Sequence, residues 1–226
     1  MSESRHNSDQ LLKEIQADEE RRNKGHLKIF FGYAAGVGKT YAMLEAAHME
    51  KQQGIDVVAG YVETHARPKT AALLNGLEVL PTREVFYNGM MLDEFDIGMA
   101  LKRKPQLILV DELAHTNAEG CRHAKRYQDI KELLNAGIDV YTTVNVQHIE
   151  SLCDTVASIT EIVVRERIPD SIFDNADQVE LIDIEPQDLI NRLNTGNVYR
   201  QTQEKQAVEN FFTIENLTAL REISLR

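Results

Sequence analysis

Short apolar runs alternate with longer amphipathic segments along most of the chain. Strand-like runs lie at 27–31, 56–62, 85–87, 106–110, 138–144, 162–165 and 179–184. Helical patterns lie at 39–53, 68–75, 93–102, 123–135, 147–157 and 187–193. Strands that alternate with helices of about ten residues or more are typical of βαβ units. The pattern therefore predicts an α/β fold, with a mostly parallel sheet covered by helices on both faces.

The two ends of the chain depart from this alternation. Residues 1–24 are polar and charged, and we interpret them as a surface arm that precedes a domain over 25–226. At the other end, 203–212 and 214–224 predict a short helical pair, with Thr213 as the N-cap of the second helix. Their apolar face is expected to pack on the body of the domain or, alternatively, on a following module. It comprises Phe211, Phe212, Leu217, Leu220 and Ile223.

Composition narrows the class of protein. With 226 residues, 42% of them hydrophobic, the chain is long enough for one sizeable core. The net charge of −11 argues against a nucleic-acid partner. The only cysteines, Cys121 and Cys153, lack metal-site spacing and suggest a reducing compartment. No apolar run is long enough to span a bilayer, and the N-terminus lacks the apolar core of a signal peptide, so we expect a cytoplasmic segment without membrane insertion.

A turn of small residues joins the first predicted strand to the first predicted helix. It reads Gly32-Tyr33-Ala34-Ala35-Gly36-Val37-Gly38-Lys39-Thr40. Gly-x-Gly-Lys-Thr between a strand and a helix is typical of the P-loop of ATP-binding proteins, and predicts a P-loop NTPase-like sheet that binds ATP with Mg²⁺. Lys39 is expected to contact the β- and γ-phosphates, and Thr40 to offer its hydroxyl to Mg²⁺. The predicted nucleotide-binding residues are Gly36, Val37, Gly38, Lys39, Thr40 and Tyr41.

One position departs from the strict P-loop pattern. That pattern begins with glycine where this chain has Tyr33, and Gly32 lies one residue too early. Tyrosine needs an ordinary backbone conformation there, so we expect the entry to the loop to be shaped differently.

Acidic and amide side chains follow two further apolar strands. Asp111 and Glu112 come directly after 106–110, a strand that we expect beside the P-loop strand. We predict Asp111 as a second Mg²⁺ ligand and, if hydrolysis occurs, Glu112 as the residue that orients or deprotonates the attacking water. Asn145 ends the next strand and is predicted to reach the γ-phosphate or that water. Gln147 and His148 are weaker candidates for the same neighbourhood.

Other polar residues are expected at the same edge of the sheet. His115, Asn117, Arg122 and Arg126 form a candidate additional site, in which either arginine can stabilise phosphate charge from its own subunit or a neighbouring one. Surface ion pairing is the alternative for each of them. The histidines do not have zinc-ligand spacing.

These motifs, taken together, resemble the N-terminal domain of the KdpD family of bacterial sensor histidine kinases. The similarity runs from about Lys24 to Arg226. It is carried by the P-loop with the preceding strand, by Val62-Glu63-Thr64-His65, by Asp111-Glu112-Leu113-Ala114-His115-Thr116-Asn117, by Arg122-His123 with Lys125-Arg126, by Thr142-Thr143-Val144-Asn145-Val146-Gln147-His148, and by Asn216-Leu217 with Ala219-Leu220-Arg221-Glu222.

The resemblance implies a domain of a potassium- and turgor-responsive two-component sensor. In such proteins this domain binds ATP on the cytoplasmic side of the inner membrane and regulates kinase and phosphatase activity. The implied partners are the remaining domains of the sensor kinase and its response regulator. The chain has no evident phosphoacceptor helix or kinase core, so it is either an excised domain or a short natural form.

Three functions stay open on the sequence. The first is a regulatory ATP-binding module, which the complete phosphate site and the missing kinase core favour. The second is an autonomous P-loop enzyme, such as a weak ATPase, which Asp111, Glu112 and Asn145 favour. The third is a module that binds a protein or a signalling nucleotide, which the acidic composition and the C-terminal helices permit.

Overall fold

A computed structural model describes residues 24–64, 67–87, 89–195 and 211–226. The predicted arm, apart from Lys24, and most of the predicted helix at 203–212 lie outside these ranges. The strands are β1 Leu27–Gly32, β2 Val57–Tyr61, β3 Glu78–Val79, β4 Arg83–Tyr87, β5 Met90–Glu94, β6 Leu107–Val110, β7 Asp139–Asn145 and β8 Gln178–Leu181. The helices are α1 Lys39–Gln52, α2 Pro68–Ala72, α3 Ile97–Arg103, α4 Arg126–Asn135, α5 Cys153–Thr160, α6 Asp170–Asp174, α7 Pro186–Thr195 and α8 Ile214–Ser224.

The main sheet has six parallel strands in the order β3-β2-β6-β7-β1-β8. The predicted α/β class and parallel sheet are confirmed. The expectation that 106–110 lies beside the P-loop strand was wrong, because β7 lies between β6 and β1. The strand that ends in Asn145 is therefore the direct neighbour of β1, and Gly32 pairs in register with Asn145.

Apolar side chains alternate between the two faces of the sheet. Phe30 and Leu109 pack with α1 on one face. Ile29, Phe31 and Ile108 face the other side, where the cluster extends to helices α4, α5, α7 and α8. Because a parallel sheet buries both faces, its central strands are mostly apolar, as the runs at 27–31 and 106–110 predicted.

The C-terminal helix α8 packs on the body, as its apolar face predicted. Leu217 and Leu220 are fully buried. Thr213 is the N-cap, since its side chain accepts a hydrogen bond from the Asn216 amide at 3.2 Å. Within the described ranges, no helix is both long and apolar enough to cross a bilayer.

Three predicted elements were wrong. The helix predicted from Asp93 begins only at Ile97, because 90–94 pairs with β4 in an antiparallel hairpin. The strand predicted at 162–165 is an irregular segment, and Val163 is 71% exposed. β-branched residues favour strands where their side chains pack on the half-buried face of a sheet, and this segment does not lie on a sheet. The helix predicted at 147–157 is two 3₁₀ turns followed by α5.

Candidate functional site

The loop between β1 and α1 depends on glycine at two positions. Gly36 and Gly38 have φ angles of 93° and 118°, which residues with a Cβ rarely adopt. Tyr33 is fully buried at the loop entry, and its hydroxyl donates a hydrogen bond to the Ile184 carbonyl at 2.9 Å. Tyr33, which stands where the strict pattern has glycine, therefore links the loop entry to the segment that follows β8.

Helix α7 lies directly on this loop. The Arg192 guanidinium donates to the carbonyls of Gly36 and Val37 at 3.3 and 3.2 Å. A Cβ at Gly36 would come within 3.1 Å of the Leu189 side chain, so the backbone and the helix approach closely. The sequence indicated a helix at 187–193, but it gave no sign that this helix covers the loop.

Lys39 projects from the first turn of α1 into a buried position. Its ammonium group donates to the Ala34 carbonyl at 3.1 Å and to Oδ1 of Asn145. Burial lowers the pKa of Lys39 from 10.5 to about 8, and the nearby Asp111 carboxylate opposes that shift. An ammonium group has three donors, so these contacts within the described residues leave one for a phosphate oxygen.

Thr40 and Asp111 bring two oxygen ligands together beside the loop. Oγ1 of Thr40 donates to Oδ2 of Asp111 at 3.0 Å. Adjacent ligands of an octahedral Mg²⁺, each about 2.1 Å from the ion, lie about 3 Å apart. The spacing and the oxygen chemistry of this pair therefore fit Mg²⁺.

The position of Asp111 is fixed by its surroundings. It is 1% exposed, and Oδ1 accepts from the Thr143 hydroxyl and from the Glu112 amide at 3.1 Å. The Glu63 amide donates to Oδ2 at 3.3 Å. Thr143 was not predicted at the site, although a threonine near the end of an apolar strand was the available signal.

A small cavity of about 80 Å³ adjoins the Lys39 side chain. It has room for water or a small group rather than for a whole nucleotide. The backbone of Glu112, at the cavity wall, has a φ of 60°, in the left-handed region. The predicted residues Lys39, Glu112, Asn145 and His115 meet here, together with His148.

The two histidines that line the cavity have different partners. His115 lies between carboxylates, with Nε2 3.2 Å from Glu94 and Nδ1 4.0 Å from Glu112. Nδ1 of His148 is 2.8 Å from the Glu166 carbonyl, and burial lowers the pKa of His148. His148 is thus a neutral imidazole near neutral pH, whose Nδ1–H donates to that carbonyl and whose Nε2 is the acceptor.

Of the other residues predicted for an additional site, Arg126 and Asn117 lie in the scaffold next to Asp111, and Arg122 lies at the surface. Arg126 is fully buried; it donates to Glu94 at 3.0 Å and to the Asp111 carbonyl at 3.2 Å. Asn117 donates to Asp129 at 2.6 Å. Arg122 forms an exposed ion pair with Glu132. The structure therefore brings Arg126 and Asn117 together at 3.4 Å, but with their side chains engaged by buried partners.

Glu94, which sequence reasoning missed, organises this scaffold. Its carboxylate is 3% exposed and also accepts from the Ala118 amide at 2.8 Å. A carboxylate buried to this degree is paired in nearly all proteins, here with Arg126 and His115. The helix predicted from Asp93 would have Glu94 in its first turn, whereas the structure places this residue at the end of β5.

The chain is similar to known proteins over nearly its whole length. The family model described as "Osmosensitive K+ channel His kinase sensor domain" matches residues 23–226. Proteins named Sensor protein KdpD are similar to the chain: that of Clostridium acetobutylicum is 61% identical over 216 residues, and that of Escherichia coli 56% over 218, each covering 96% of the chain. The protein of Mycobacterium tuberculosis is 54% identical over 202 residues, or 89% of the chain. The chain spans 24% of the length of each of these relatives. The chain therefore belongs to the KdpD family of osmosensitive, potassium-related histidine kinase sensor domains.

Proposed function

We propose that this domain binds ATP with Mg²⁺ and that the bound nucleotide regulates the sensor kinase to which such a domain belongs. The observation that carries the proposal is the joint placement of Lys39 and of the Thr40–Asp111 pair, 3.0 Å apart, at one end of the glycine loop. A phosphate cation and a pair of Mg²⁺ ligands at the carboxyl ends of parallel strands are the parts that a triphosphate requires.

The chemistry of each residue supports this assignment. The loop offers backbone N–H groups, and the fourteen-residue helix α1 begins where the loop ends. Backbone N–H groups and the N-terminus of a helix both favour anions. Lys39 adds a positive charge in a buried setting, where an ion pair is stronger than in water. When bound, Mg²⁺ neutralises phosphate charge, and Thr40 and Asp111 are the residues that would hold it.

Regulation would work through the loops that end at the site. Asn145 and His115 line the cavity beside Lys39; Asn145 is the last residue of β7, and His115 lies in the loop between β6 and α4. A γ-phosphate that competes for the Lys39–Asn145 contact would release the Asn145 side chain and so alter the segment that follows β7. The surface altered in this way would reach the remaining domains of the sensor, and through them its response regulator.

Calorimetric titration of the chain with ATP tests the binding step. We expect binding that requires Mg²⁺ in wild type, a loss of more than about tenfold in affinity for Lys39→Ala, and a weaker Mg²⁺ requirement for Thr40→Val. Lys131→Ala and Thr218→Val change exposed residues of the same types and serve as matched controls. Equal ATP affinity of wild type and Lys39→Ala would exclude the proposed site. Unchanged signalling of the complete sensor with Lys39→Ala would exclude regulation by nucleotide.

The second candidate is hydrolysis of ATP by the domain itself. Glu112 and Asn145 line the same cavity as Lys39, which is the observation that favours it. Under this proposal, Glu112→Gln keeps ATP binding and loses turnover. Lack of turnover in every oligomeric state would leave the regulatory proposal intact and eliminate this one.

A further inference from the structure

The β4–β5 hairpin carries a surface that the nucleotide site does not use. In the described part of the chain, β4 and β5 pair with each other and with no third strand, so that both outer edges keep unpaired main-chain groups. Glu84 stands directly opposite Asp93, and Phe86 opposite Met91. Strand alternation places these residues on one face of the hairpin.

The opposite face fixes the hairpin to the domain. Val85 is 8% exposed and lies against the loop of Gly120, where an added Cβ would be 3.9 Å from its Cγ1. At the base of the hairpin, Glu94 accepts from the Arg126 guanidinium and the Ala118 amide. The hairpin is therefore held in position, and its outer face is presented to solvent in a defined orientation.

The outer face combines two features that are unfavourable without a partner. Phe86 and Met91 are 69% and 56% exposed. Two carboxylates that face each other across a strand pair, as Glu84 and Asp93 do, repel each other. The Thr82 hydroxyl donates to Asp93 at 2.9 Å but brings no positive charge. A cation beside an apolar group would relieve both features at once.

We propose that this face binds an extended peptide segment of a partner protein, in which a lysine or arginine lies two positions from a large apolar side chain. The row formed by Glu84 and Asp93 and the row formed by Phe86 and Met91 are two residues apart, or about 6.7 Å along a strand. A segment that adds to a free edge of the hairpin has the same repeat. Its basic residue lies beside the carboxylates and its apolar residue beside the phenyl ring. The proposal does not depend on nucleotide binding.

Selection from a phage-displayed library of random linear peptides on the purified chain tests this inference. The enriched peptides should share the basic-x-apolar pattern, and a synthetic copy should bind by fluorescence anisotropy. We expect Phe86→Ser with Met91→Ser to lower its affinity by about tenfold or more. Glu84→Gln with Asp93→Asn should lower the affinity and also its dependence on salt. Met49→Ser, at a 57% exposed position on α1, is the matched control and should have no effect.

Several results would overturn the proposal. They are the absence of enrichment, an enriched pattern without a basic residue, and equal affinity for wild type and the Phe86→Ser, Met91→Ser variant. A wild-type dimer that this double substitution dissociates would assign the face to a second copy of the chain instead. All four hairpin positions lie on the outer face, and circular dichroism of the variants checks that they fold.

Discussion

Replacing Lys39 by methionine tests whether this buried charge destabilises the ligand-free protein while it is needed for nucleotide binding. Lys39 is 9% exposed, and burial lowers its pKa from 10.5 to about 8. One pKa unit corresponds to about 1.4 kcal/mol, so the buried charge destabilises the folded state by roughly 3 kcal/mol near neutral pH. Methionine removes the charge but also the hydrogen bonds to Ala34 and Asn145, which offsets about 1–2 kcal/mol. We expect ligand-free Lys39→Met to be more stable than wild type by about 1–2 kcal/mol.

The pH dependence of this difference has a definite sign. Below pH 8 both the folded and the unfolded states carry the Lys39 proton, so the full penalty is present. Between about 8 and 10.5 the folded state releases the proton that the unfolded state keeps, so the stability of wild type rises with pH. The variant lacks this rise, and its advantage should shrink across that interval.

Urea denaturation at about pH 7 and about pH 9.5, with and without Mg²⁺ and ATP, measures each step of this reasoning. Ligand at about 100 times its Kd stabilises a binding protein by about 2.7 kcal/mol, so nucleotide should reverse the order of the two proteins. Lys131→Met changes an exposed lysine on α4 and should alter stability by less than about 0.5 kcal/mol. Ligand-free Lys39→Met that is less stable than wild type at neutral pH would contradict a destabilising buried charge at this position.

Two further substitutions test the scaffold around the site. Tyr33→Phe removes only the hydrogen bond to the Ile184 carbonyl and should lower the free energy of unfolding by about 1 kcal/mol in urea denaturation. Tyr33→Gly also empties a fully buried position and should lower it by about 3–5 kcal/mol. Equal losses for the two variants would contradict a packing role for the ring. Glu94→Gln leaves the buried Arg126 guanidinium without its counter-charge and should lower the free energy of unfolding by about 3–5 kcal/mol. Arg122→Gln, in the exposed pair with Glu132, should lower it by less than about 1 kcal/mol. Similar losses for the two variants would contradict the role given to burial.

The central part of the fold was predictable because its signals are local. The apolar runs of β1, β6 and β7 are buried on both faces, and continuous apolar runs bounded by turns predict such strands. The glycine loop was predictable for the same reason, since Gly36 and Gly38 occupy conformations that glycine favours. Likewise, Thr213 precedes an apolar repeat of helical period, which is the usual N-cap pattern.

What the sequence did not reveal depends on contacts between distant segments. Met90 to Glu94 has the composition of a helix, and only pairing with β4 makes it a strand. The strand order is another such property, because the residues of β6 and β7 do not indicate which of the two strands pairs with β1. For the same reason, the contact of Arg192 with the loop and the inward position of Tyr33 had no sequence signal.

The hairpin and the candidate metal site share one buried side chain. One end nitrogen of the Arg126 guanidinium donates to Glu94 of β5, and the other donates to the carbonyl of Asp111, whose carboxylate accepts from Thr40. A movement of the hairpin that carried Glu94 away would leave this buried guanidinium without the carboxylate that balances its charge, at a cost of about 3–5 kcal/mol. The hairpin is therefore held at a fixed distance from the end of β6. A segment bound to its outer face would accordingly be held in a constant position relative to Thr40 and the glycine loop, without any contact between the two sites.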